Sequence, residues 1–97
     1  MALPLTAASN METAVIAADV WTKVCSSVAA ARITFKPLPA ASVVWFTYVL
    51  AGGTAPSGLS GEMKQVNSSV LEFCDSVAVR DLYLYPVKTA VKIQVEA

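Results

Sequence analysis

Two cysteines, a handful of carboxylates and one glycine-bearing segment are the residues of this chain whose types suit chemistry. Cys25 and Cys74 could act as nucleophiles only with a base in reach, and the sequence contains no histidine. Two thiols without histidine also fall short of the four ligands of a structural zinc site, so no metal is expected. Asp19, Glu62, Glu72, Asp75 and Asp81 could supply a pair for acid–base work. Yet seven acidic residues spread over 97 positions offer such pairs by chance. No serine–lysine spacing points to a nucleophile either. The segment Gly52-Gly53-Thr54-Ala55-Pro56-Ser57-Gly58 lacks the Gly-Lys-Ser/Thr ending and following helix of a phosphate cradle; the next lysine is Lys64. It reads as a surface connection. An enzyme is not expected, and neither is a cofactor.

Eight aromatic residues remain: Trp21, Phe35, Trp45, Phe46, Tyr48, Phe73, Tyr83 and Tyr85. Two or three exposed together would stack on sugar rings. The alternative, preferred here, is core plus subunit interface, where tyrosine and tryptophan are enriched. Tyr83 and Tyr85 alternate with Leu82 and Leu84, so one pair must face away from the core. The tyrosines are the better candidates for a binding face.

The elements that must position these residues are strands. Val15, Val20, Val24, Ile33, Val43, Val44, Val49, Val91, Ile93 and Val95 are β-branched, stiff at χ1 and suited to a pleated surface. Seven strands are expected, over 12–18, 20–26, 32–36, 42–50, 70–74, 81–85 and 89–96. Residues 32–36 alternate, with Ile33 and Phe35 on one side and Arg32, Thr34 and Lys36 on the other. Residues 89–96 do the same, with Val91, Ile93 and Val95 inward. Residues 42–50 offer both faces for burial, the mark of a central or interface-facing strand. Ser27 to Ala31 could support one helical turn. Short strands with turn residues at roughly ten-residue spacing indicate an all-β domain, a single sandwich or small barrel of mainly antiparallel strands. It should occupy residues 11–97, preceded by an extended arm, residues 1–10, in which Leu3 and Leu5 are the anchoring side chains. Cys25, Trp45 and Cys74 come in immunoglobulin order. The tyrosine that precedes the second cysteine by two residues in that fold is missing, so only the sandwich survives. Both cysteines are expected as buried free thiols, with a disulfide left open.

Charge narrows the partners. The chain has seven basic and seven acidic residues, no net charge, and 56% apolar residues against 14% charged. Soluble domains usually carry about 25% charged residues. Scattered lysines and arginines offer no run to neutralise phosphates, so nucleic acid is not expected as a partner. The uncharged stretch from Pro37 to Gly61 holds only about a dozen strongly apolar residues, short of the roughly 20 a spanning helix needs, so no membrane is expected. A surface this poor in charge favours association, which points to a part of a larger assembly.

Trp21-Thr22-Lys23-Val24, Gly52-Gly53-Thr54-Ala55-Pro56-Ser57, Leu71-Glu72-Phe73, Leu82-Tyr83-Leu84-Tyr85 and Ala90-Val91-Lys92-Ile93-Gln94-Val95-Glu96 follow one another in an order that resembles small β-sandwich virion proteins of tailed bacteriophages, of the head-decoration, head-fibre and fibre-base type. The resemblance spans residues 21–96. It implies a non-enzymatic structural protein of the virion, assembled in the host cytoplasm. The implied partners are the major capsid or tail proteins of the same particle, with a homo-oligomer formed through apolar strand faces. The interface candidates are then Leu3, Leu5, Trp21, Trp45, Tyr48, Tyr83 and Tyr85. Two other readings stay open: a receptor- or glycan-binding fibre module stacking on Trp21, Tyr83 and Tyr85, and a small host-interacting regulatory protein.

Overall fold

Half-buried strands are legible by their period of two, and the computed structural model places apolar and polar side chains accordingly. It describes residue 4 and residues 11–36, 43–56, 64–66, 70–74 and 78–96. Among the described residues eight strands run in order: Met11–Ile16 (β1), Thr22–Val28 (β2), Ala30–Phe35 (β3), Val43–Leu50 (β4), Lys64–Gln65 (β5), Val70–Cys74 (β6), Arg80–Val87 (β7) and Val91–Glu96 (β8). The count exceeds the expected seven because β5 is a two-residue strand, too short for any periodicity. The segment preceding β1, with Leu3 and Leu5, lies outside the described residues apart from exposed Pro4.

The strands form two four-stranded antiparallel sheets, one ordered β1-β8-β3-β6 and the other β2-β7-β4-β5. The pairs β1–β8, β2–β7, β3–β6 and β4–β5 are those of a single ribbon folded back on itself after β4 and then rolled up. That is the eight-stranded jelly roll, an all-β sandwich. The core lies between the sheets. Ile16, Ala31, Ile33, Phe35, Val91, Ile93 and Val95 come from the first sheet, and Val24, Cys25, Val28, Val44, Leu82 and Leu84 from the second. Each fully buried Val, Leu or Ile contributes about 1.5–3 kcal/mol relative to exposure.

Three local departures from regular strand geometry decide where side chains end up. β2 carries register shifts on both sides of Cys25. Bulges of this kind turn consecutive residues to one side, and Val24 and Cys25 are both fully buried. Ser27 sits at φ 57° beside the second shift. The expected helical turn over Ser27–Ala31 is therefore the end of a bulged strand, a bend at Ala29 and the start of β3.

β7 runs through Pro86, although proline should stop a central strand. The β2–β7 ladder ends at Thr22–Leu84, so the missing N–H falls where no partner strand remains. There the Pro86 carbonyl accepts a 2.7 Å hydrogen bond from the Asp19 N–H. The same link is tied a second time, since the Lys88 N–H donates to Asp19 Oδ1 at 3.1 Å. Asp19 and Lys88 both have positive φ; they turn the ribbon from one sheet to the other at one corner.

Candidate functional site

Residues directly opposite in antiparallel strands share a face, so the registers assign every side chain of the two outer surfaces. On the second sheet, Trp45 stands between Gln65 of β5 and Tyr85 of β7. Trp21 precedes β2 and meets Tyr85 from the far side, ring centroids 5.2 Å apart and planes tilted by 55°. Trp21, Tyr85, Trp45 and Gln65 thus form one rank across the sheet. The next rank is Lys23, Tyr83 and Thr47, with the Lys23 ammonium 5.8 Å from the Tyr83 ring centroid. Asp81 and Val49 form the third. Leu82 and Leu84 point the other way and are fully buried.

The aromatic rank is half-buried at Trp21, Trp45 and Tyr85. Tyr83 is not an open platform; it is 5% exposed, flanked by Lys23 and Thr47. Tyr48 falls at an inward register position opposite Leu82 and is exposed, as are Leu50 and Val79. It therefore stands apart from the rank. β4 is less fully buried on both faces than its composition suggested; among the described residues its second neighbour is the two-residue β5. Four of the seven expected interface residues, Trp21, Trp45, Tyr83 and Tyr85, share one surface. Leu3 and Leu5 lie outside the described residues.

The first sheet wears the opposite dress. Its outer ranks are Met11, Glu96, Arg32 and Glu72, then Thr13, Gln94, Thr34 and Val70, then Val15 and Lys92. Arg32 and Glu72 approach to 3.7 Å with both side chains exposed, a pair worth little in water. This is a wetted face.

Asp81 holds the aromatic face in place, and sequence reasoning passed it over as one of several scattered acids. The side chain is 1% exposed. Oδ1 accepts from the Ser27 N–H at 2.8 Å and Oδ2 from the Gly52 N–H at 3.2 Å, while Lys23 Nζ lies 3.5 Å from Oδ2. One carboxylate thus joins the β2 bulge and the turn after β4 to the strand between them. Burial alone would raise its pKa, but the two N–H donors and the Lys23 ammonium outweigh burial and hold it below the ordinary carboxylate range. Gly52 has φ +80°, a conformation that suits glycine and aims this N–H at Asp81.

The cysteines part ways. Cys25 is buried, as expected, and burial pushes its thiol up to about 12. Cys74, expected buried, is exposed on β6, an edge strand of the first sheet. Both are free. Brief maleimide treatment at pH 7.5 should label one thiol per folded chain, at Cys74. Equal labelling of Cys25, read by peptide mass spectrometry, would contradict its burial.

Among the described residues no group of three acidic or cysteine side chains is placed to hold a metal ion, and no helix is long and apolar enough to cross a membrane. No protein-family model matches the chain, and no curated protein or solved structure matches it either.

Proposed function

We propose that this protein is a non-enzymatic structural component of a tailed-bacteriophage virion, attached to a capsid or tail protein through the outer face of the β2-β7-β4-β5 sheet. The unequal dressing of the two outer faces carries this reading. One is ranked with exposed charges; the other presents tryptophans and tyrosine, and the two charged groups among its described residues, Lys23 and Asp81, pair with each other. Aromatic side chains depleted of net charge are what the centre of a protein interface selects. The jelly roll recurs in capsid proteins and in lectins, so the architecture suits the role without fixing it.

The test is composition and then mutation. Gradient-purified particles should contain the chain, cross-linked to a capsid or tail protein through the β2-β7-β4-β5 face. Trp45→Arg should lower its incorporation at least tenfold while leaving the far-UV spectrum unchanged. Particles lacking the chain, or full incorporation of the variant, would overturn the proposal.

A second reading is favoured by one observation. The aromatic rank is bordered by Gln65, Thr47 and Lys23, polar groups beside rings, as saccharide recognition requires. Its two tryptophans stand two inter-strand steps apart, roughly 10 Å. If the face stacks on glycan, oligosaccharide binding should be lost with Trp45→Ala and Tyr85→Ala. Tyr83→Ala is less informative, because that ring is already covered.

A further inference from the structure

We infer that β1 is a hinged strap: residues 11–15 lift from β8 as one segment while Ile16 and Asp19 keep the corner closed and the rest of the sandwich stays folded. The strap belongs to the other sheet from the aromatic rank, and it stands independently of either function proposed for that rank.

What holds β1 down is set by its inward positions. The register places Glu12 opposite Val95, Ala14 opposite Ile93 and Ile16 opposite Val91. At these three positions the sequence supplies an acid, a methyl group and a single large apolar side chain. Ile16 is 2% exposed, whereas Ala14 is only half-buried. Met11, Thr13 and Val15, on the outward side, are all exposed. β8 is held differently. Val91, Ile93 and Val95 are buried, and its last four residues pair with β3 as well as with β1. Release of β1 therefore leaves β8 packed and paired.

The chain beyond Ile16 is fixed by bonds that do not involve β8. The Asp19 N–H donates to the Pro86 carbonyl at 2.7 Å, and Asp19 Oδ1 accepts from the Lys88 N–H at 3.1 Å. Both partners lie on β7 or directly after it, so these bonds persist when β1 lifts. The corner is pinned by Ile16 on one side and Asp19 on the other, and the hinge falls between Val15 and Ile16. Segments that bury few apolar side chains open locally at far lower cost than the whole domain. Once lifted, the strap bares the backbone groups by which β8 meets β1. An outside strand can take that side of β8 only after β1 has moved.

Hydrogen exchange on the full chain at pH 7, read by mass spectrometry on peptides from β1 and β8, tests the strap. Protected amides of residues 11–15 should exchange at least about 100-fold faster than those of 93–95, and at a rate unchanged by low urea, because local opening exposes little surface. Glu12→Val supplies an apolar side chain at the empty inward position and should slow β1 exchange by about tenfold. Val15→Cys with Lys92→Cys, in a Cys74→Ser background, sets two thiols opposite each other; their disulfide should abolish the fast exchange. Equal exchange in β1 and β8 would overturn the inference, as would a β1 rate that neither Glu12→Val nor the disulfide alters.

Discussion

Asp81→Ala is expected to lower the free energy of unfolding by about 3 kcal/mol, read from the urea midpoint at pH 7. The substitution removes the buried carboxylate that accepts from the part-buried Ser27 and Gly52 N–H groups and faces Lys23, and a hydrogen bond to a charged group is worth about 1.5–3 kcal/mol. Asp81→Asn separates geometry from charge. The amide keeps one accepting oxygen but turns an NH₂ group toward the other donor, for a loss of about 2 kcal/mol. The pH dependence has a definite sign. Asp81 has a folded pKa below its unfolded value of about 3.9, so its contribution is fully present above that value and is lost as pH falls through the folded pKa. Wild type should therefore lose stability more steeply than Asp81→Asn below about pH 4. Equal midpoints at pH 7, or parallel acid profiles, would show that the carboxylate does not tie the strands together.

The same residue marks the limit of what the chain discloses in one dimension. β3 and β8 are plain in the sequence because each is wetted on one side, so Arg32, Lys92 and Glu96 punctuate Ile33, Val91, Ile93 and Val95. β7 is harder, since Asp81, Leu82, Tyr83 and Leu84 are all buried and Pro86 resembles a stop. Only the end of the β2 ladder at Leu84 explains why it is not. The rolled-ribbon pairing is invisible for another reason. Met11 meets Glu96 across nearly the whole chain, and nothing local records such a partnership. The aromatic face was legible as residue types, and the Tyr83–Tyr85 alternation gave its side correctly. Which rings remain accessible was not, because Tyr83 is covered by Lys23 and Thr47 from neighbouring strands. Asp81 left one faint signal: an acid opening a strand of leucines and tyrosines, in a chain with Ser26-Ser27 and Gly52-Gly53 to supply bent backbone.

Neighbours on one strand should give opposite phenotypes if the two sides of β7 do different work. Leu84 is fully buried, in the rank between Thr22 and Phe46, facing the other sheet. Leu84→Ala removes its packing and leaves a cavity, for about 3 kcal/mol. In a domain of this size that lowers the melting temperature by on the order of 15 °C. Tyr85 lies one residue on, half-buried beside Trp21 on the outer side. Tyr85→Ala gives up the ring contact, about 0.5–1.5 kcal/mol, and the middle of the aromatic rank. The folded fraction of Leu84→Ala should therefore join the particle as wild type does below its lowered melting point, whereas Tyr85→Ala should stay folded and fail to attach. Calorimetry and particle incorporation read these two quantities separately. Should Tyr85→Ala melt as early as Leu84→Ala while attaching normally, the rank would be packing for this sheet and not a surface offered to a partner.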